Sequence, residues 1–137
     1  MMPNEIEPAI APGSSVLLLM EDLFFRKLLR RELEGAGYEV TEAISVDRAL
    51  ARVGNSPPDL VLLDTWVDHG SGLQLLEALR ASGDFRHIPV LLIGSDQRSE
   101  VHRRGQQLGA LGPVPISRSS GVGLWVDAAL GSGEPSN

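Results

Sequence analysis

The run Asp59-Leu60-Val61-Leu62-Leu63-Asp64 (DLVLLD, residues 59–64), continued by Thr65-Trp66-Val67-Asp68-His69-Gly70-Ser71-Gly72, decides the fold. A short unbroken apolar run leading into an acid reads as a strand buried on both faces, the habit of a parallel sheet. Asp64 then stands at the carboxyl end of that strand, where ligands and chemistry collect in open parallel α/β sheets. Desolvating a carboxylate is costly, so stability alone accounts poorly for an acid at that position. Asp64 is therefore read as the centre of a site.

Outward from this strand, the 137 residues fit one domain with a sizeable core. The hydrophobic fraction of 42% and charged fraction of 22% are those of an ordinary globular chain. No apolar run approaches the ~20 residues of a membrane span, and the N-terminus lacks the regions of a signal peptide. There are no cysteines, which removes disulfide and thiol chemistry. These features together lead to the expectation of a cytoplasmic protein. A net charge of −6 argues against a mainly electrostatic grip on nucleic acid.

Residues 1–15 read as a disordered leader and residues 131–137 (GSGEPSN) as a flexible tail, leaving residues 16–130 as one folded unit without internal repeats. Val16 to Met20 is a first buried strand ending in Glu21-Asp22. A helix over Phe24 to Glu34 comes next, with Phe25, Leu28, Leu29 and Leu33 inward, stopped by Gly35 and Gly37. Tyr38 to Thr41 is a short strand near a sheet edge, since Glu39 interrupts it. Ser45 caps a helix over Val46 to Val53, with Asp47 in its first turn. Beyond the opening strand come a helix over Gly72 to Ala81, built on Leu73, Leu76 and Leu79, and a buried strand over Val90 to Ile93. A weak helix over Ser99 to Leu108 contains Gly105. Pro113 and Pro115 allow only a short or edge strand within Gly109 to Ile116. A frail helix over Ser120 to Leu130 closes the unit, with Trp125 inward or at a dimer contact.

Strict alternation of strand and helix implies a parallel sheet with helices on both faces. With five strands this is the flavodoxin-like doubly wound order 2-1-3-4-5, a three-layer α/β/α fold whose switch point lies between strands one and three. Those strands end in Glu21-Asp22 and in Asp64, so the fold gathers three carboxylates at the ligand-binding edge. Carboxylates so gathered repel unless some are protonated or a cation sits among them. Oxygen donors with room for water suit Mg²⁺. An aspartate beside such an ion can accept a phosphoryl group in line, the ion neutralising its charge. On this reading Asp64 is the nucleophile, Glu21, Asp22 and Asp64 hold Mg²⁺, and the Trp66 carbonyl is a further ligand. The bland alternatives are a solvated, helix-capping turn for Glu21-Asp22 and a cap or loop role for Asp64. His69 and His87 lack a partner at metal-ligand spacing and read as surface loop residues. Arg103 and Arg104 read as a solvated helix face.

VLLLMED, FFRKLLRRELEGAGYEV, PDLVLLDTWVDHGSGLQLLEALR, FRHIPVLLI and LGA together resemble the receiver domain of bacterial two-component response regulators, from Val16 to about Leu130 and most closely through Ile93. The resemblance implies phosphorylation of Asp64 by a histidine kinase or phosphotransfer protein, using Mg²⁺. It also implies signalling through a downstream protein partner; the net charge and the lack of a long apolar run lead to the expectation of no direct nucleic-acid or membrane binding. Activity as an enzyme would extend no further than self-phosphorylation and dephosphorylation at Asp64, and a homodimer through the last helix remains open.

The sequence departs from the family in its second half. The Thr or Ser that bonds the phosphoryl group at the end of the fourth strand falls at Gly94, with Ser95 one place late. The Lys and Pro after the fifth strand fall at Ile116 and Ser117, or at Val114 and Pro115 with a gap; the aromatic switch position falls near Pro113. The loop after Asp64 has Asp68 and Ser71 where the family has Pro and Asp. The single lysine, Lys27, lies in the first helix and cannot serve. Losing the ammonium partner removes a charge-assisted bond of ~1.5–3 kcal/mol. Ser95 and Arg118 are the remaining candidates for phosphoryl contact. The residues leave three readings: a phosphorelay receiver with an atypical switch, a pseudo-receiver used as a phosphorylation-independent interaction module, and a different Mg²⁺-dependent phosphotransfer enzyme on this fold, for which the sequence offers no acid/base or substrate pocket.

Overall fold

The computed structural model describes residues 13–64, 72–94 and 100–114. The expectations for Trp66, His69, Ser95, Arg118, Trp125 and the helix over residues 120–130 fall outside them.

The elements are β1 (Ser15–Leu19), α1 (Leu23–Gly35), β2 (Glu39–Ala43), α2 (Val46–Asn55), β3 (Leu60–Asp64), α3 (Leu73–Ala81), β4 (Val90–Ile93), α4 (Glu100–Gln107) and β5 (Leu111–Val114). The sheet order is β2-β1-β3-β4-β5, with every neighbouring pair parallel. This is the doubly wound order expected from the alternation of elements, and β2 and β5 are its edges, as their charged and proline residues required.

Successive side chains of a strand point to opposite faces, and the central strands send apolar residues both ways. Leu17 and Leu19 of β1, Val61 and Leu63 of β3, and Val90 and Leu92 of β4 pack with Ala49 and Val53 of α2 and Leu75, Leu76 and Leu79 of α3. Val16 and Leu18, Leu60 and Leu62, and Leu91 and Ile93 face the other side with Leu29 and Leu33 of α1. Within α3 the inward residue is Leu75 as well as Leu76 and Leu79, while Leu73, expected inward, is half-buried at the helix start.

Local chemistry sets the element ends. The Ser45 hydroxyl accepts from the Arg48 N–H at 3.2 Å, capping α2 as expected. α1 ends when Gly37 turns to φ +98°, letting the Gly37 N–H reach the Glu34 carbonyl at 3.0 Å and the Tyr38 N–H reach Leu33 at 3.1 Å. That closure uses Tyr38, so β2 begins one residue later than expected, at Glu39, and runs on to Ala43. β1 in turn begins one residue early: the Asp59 carboxylate accepts from the Ser15 N–H at 2.8 Å and holds Ser15 in the sheet rather than in the leader. β5 carries a bulge. Leu91 pairs with Leu111 but Ile93 pairs with Val114, so one extra residue is taken up at Gly112 (φ +92°) and Pro113. Pro113 is thus tolerated at an irregular point of an edge strand, and Gln106 Nε2 donates to the Gly112 carbonyl at 2.8 Å.

Arg80 fastens the end of α3 to the chain on either side of β4. Its Nε donates to the Leu108 carbonyl at 2.8 Å, and one terminal nitrogen to Arg86 and Ile88 carbonyls at 3.1 and 2.8 Å. Burial pushes its guanidinium below the ordinary arginine range. Arg80→Ala would leave these carbonyls short of a donor, at a cost of about 2–4 kcal/mol by the usual worth of charged hydrogen bonds. The expected outcome in urea unfolding is a lower midpoint at unchanged slope, and Arg80→Lys, a point donor in place of a fork, should recover little of it.

Candidate functional site

β3 delivers Asp64 half-buried at its last position. Leu63 pairs with Leu19, which brings Asp64 level with the end of β1, from which Met20, Glu21 and Asp22 lead into α1. The two strands that end in acids are thus direct neighbours, as the topology demanded. Glu21 and Asp22 are exposed. Asp22 also caps α1: its Oδ1 accepts from the Phe25 N–H at 3.0 Å. The capping role weighed for this acid is therefore real, and it engages one of its two carboxylate oxygens. Among the described residues no three His, Asp or Glu side chains converge closely enough to hold a metal ion. The chemistry of the donors available here, carboxylate oxygens only, nonetheless suits a hard cation such as Mg²⁺; Trp66, the expected fourth donor, lies outside the described residues.

Arg26 holds the turn that presents these acids. One terminal nitrogen donates to the carbonyls of Met20 and Glu21, at 3.0 and 3.1 Å. Its Nε donates to Glu42 Oε1 of β2 at 2.7 Å, and Arg30 donates to Glu42 Oε2 at 2.6 Å. Burial pushes the Glu42 carboxyl up, but the hydrogen bonds from Arg30 and Arg26 outweigh it and hold it below its ordinary value. The same pairing raises Arg30, chiefly through its hydrogen bond to Glu42. A carboxyl with a depressed folded-state pKa contributes stability that is fully present above its unfolded value and is lost as pH falls through the folded one. Glu42→Gln should therefore weaken the fold at neutral pH by about 1–3 kcal/mol. It should also flatten the acid limb of the stability profile below about pH 4.5, measured as urea midpoints across that range.

The end of β4 is built differently. Ile93 pairs with Asp64, and the next residue, Gly94, is buried. A Cβ on Gly94 would lie 2.4 Å from both Nε2 and Cε1 of His102, closer than real side chains approach. His102, on α4, is buried, at 2% exposed. Three residues on, a Cβ at Gly105 would meet Leu92 Cδ1 at 2.7 Å. Two places without a Cβ, one just after β4 and one on α4, thus let the helix settle closely on the strand. The weakness of α4 as a helix is the cost of that approach. Periodicity and motif spacing do not single out His102; the signal in the sequence is its spacing of three from Gly105, opposite a glycine where a hydroxyl was due. His87 is exposed, as expected, and so are Arg103 and Arg104, which face Glu100 at 2.9 Å and Glu77 at 3.8 Å. Lys27 is exposed on α1.

The sequence pattern of the response regulator receiver domain matches residues 16–115. The chain belongs to the response regulator receiver domain family. Among its relatives, the phosphate regulon transcriptional regulatory protein PhoB of Klebsiella pneumoniae is 32% identical over 95 residues, 69% of this chain and 42% of PhoB. The KDP operon transcriptional regulatory protein KdpE of Escherichia coli is 30% identical over 110 residues, 80% of this chain and 47% of KdpE. The chain thus spans less than half the length of these relatives. The receiver domain of NtrX from Brucella abortus superposes with a TM-score of 0.70 at 26% identity, covering 84% of this chain and 97% of that one. A response regulator from Chloroflexus aurantiacus has the same fold, with a TM-score of 0.75 at 22% identity over 86% and 98% of the two chains. No helix among the described residues is long and apolar enough to cross a membrane.

Proposed function

We propose that this receiver domain accepts a phosphoryl group on Asp64 from a histidine kinase or phosphotransfer protein and passes the signal on through protein contacts in the cytoplasm. The observation that carries the reading is the pairing of β1 with β3, whose adjacent ends bear Glu21-Asp22 and Asp64. Glu21, Asp22, Asp64 and the Trp66 carbonyl would hold Mg²⁺, which when bound offsets the charge of the incoming phosphoryl oxygens. An Asp64 carboxylate oxygen forms the new bond to phosphorus while the bond from phosphorus to the donor histidine nitrogen breaks, and that nitrogen keeps the electron pair. Arg26 keeps the acid-bearing turn in place, and the half-buried setting of Asp64 limits water at the acceptor.

A second reading, a pseudo-receiver that binds partners without phosphorylation, is favoured by the end of β4, where Gly94 stands in place of a hydroxyl residue. The two readings part on phosphotransfer. With Mg²⁺ and phosphoramidate, intact-protein mass spectrometry should show one added phosphoryl group, lost in Asp64→Asn; an unmodified wild-type chain would leave the pseudo-receiver standing. Asp22 separates its two roles by substitution. Asp22→Asn keeps a capping oxygen and should retain wild-type stability while losing Mg²⁺-induced amide shifts at Met20 to Asp22. Asp22→Ala should lose both, with about 1 kcal/mol of stability gone with the cap.

A further inference from the structure

Resting on the phosphoacceptor reading of Asp64, we infer that His102 is a phosphoryl-contacting residue of this site: its imidazole N–H takes the part of the hydroxyl that Gly94 lacks, and it does so from α4 instead of β4. Place is the first argument. Gly94 follows Ile93, the residue level with Asp64 on the neighbouring strand. The His102 ring presents its Nε2–Cε1 edge to Gly94, both atoms 2.4 Å from the position of the absent Cβ, with Cδ2 further off at 3.7 Å. The ring therefore fills the space in which a side chain at residue 94 would lie, and brings a nitrogen into it.

Rigidity is the second argument. Gly105 lets the backbone of α4 close on Leu92, so the approach of His102 is set by packing rather than by a free side chain. A donor mounted on α4 also changes how the site is read. Charge arriving on Asp64 pulls on the helix directly, with no need for a hydroxyl on β4 or an aromatic on β5. Position 113, where that aromatic is due, is here a proline at the β5 bulge.

The test uses the whole chain labelled with ¹⁵N at histidine, with MgCl₂ and beryllium fluoride as the phosphoryl mimic. Bound ¹⁹F signals report on Asp64; the His102 ring ¹⁵N and ¹H resonances report on the contact. The expected result is a bound ¹⁹F signal together with a downfield shift of the His102 ring N–H. His102→Phe, which keeps a ring and removes the donor, should bind beryllium fluoride about tenfold or more weakly, the worth of one charge-assisted bond. Gly94→Ser combined with His102→Ala, which returns the hydroxyl to β4 and clears its space, should recover most of that loss. A bound ¹⁹F signal with unmoved His102 ring resonances overturns the inference, as does wild-type affinity in His102→Phe. The ring measurement needs no variant and stands even if a substitution unfolds the chain. Absence of any bound ¹⁹F signal in the wild type instead overturns the phosphoacceptor reading, and this inference with it.

Discussion

Burial of β1, β3 and β4 on both faces is the constraint on which the rest of the structure depends. A strand apolar on one side can lie at a surface; a strand apolar on both must be sandwiched, and parallel pairing with crossover helices is how a single chain achieves that. Val16 to Met20, Leu60 to Leu63 and Val90 to Ile93 are all buried, and their side chains divide between two cores on opposite sides of the sheet. With those strands inside, the charged β2 and the proline-bearing β5 are left to the edges. Polar chemistry is then confined to the strand ends, the place where Asp64, Glu21 and Asp22 stand.

From that constraint the two halves of the site diverge. On the β1–β3 side, acids are held by ordinary means: a capping bond at Asp22 and an arginine, Arg26, that clasps the turn and is itself anchored on Glu42. On the β4 side, the usual side chain is missing, and two glycines let α4 approach until a histidine ring fills the gap. An interior packed at native density leaves no void of that size beside a strand. Gly94 and His102 are thus better understood as one unit than as a loss at one position and an oddity at another.

Much of this was legible in the sequence, and for a definite reason. Continuous apolar runs, capping serines and turn glycines are local signals, so the elements, their order and the edge status of β2 and β5 could be read directly. Where local signals competed, boundaries moved. Tyr38 looks like a strand residue and is taken by the helix closure at Gly37; Ser15 looks like leader and is drawn into the sheet by Asp59, distant in sequence. Asp22 is read equally well as cap or ligand, because both uses want a carboxylate at a helix start.

By itself the sequence determined the fold class and the gathering of Asp64 with Glu21 and Asp22 at one sheet edge, because strand order follows from alternation and the acids sit at strand ends. It also determined that no lysine is available to a phosphoryl site, since Lys27 belongs to the first helix. Only the tertiary structure decided what fills the space beside Gly94 at the end of β4. His102 meets Gly94 across the packing of a helix on a strand, a contact whose closeness depends on two absent Cβ atoms and not on any periodicity. The bulge at Gly112 and Pro113 was likewise decided by pairing, because an extra residue in a strand shows only when its partner is counted beside it.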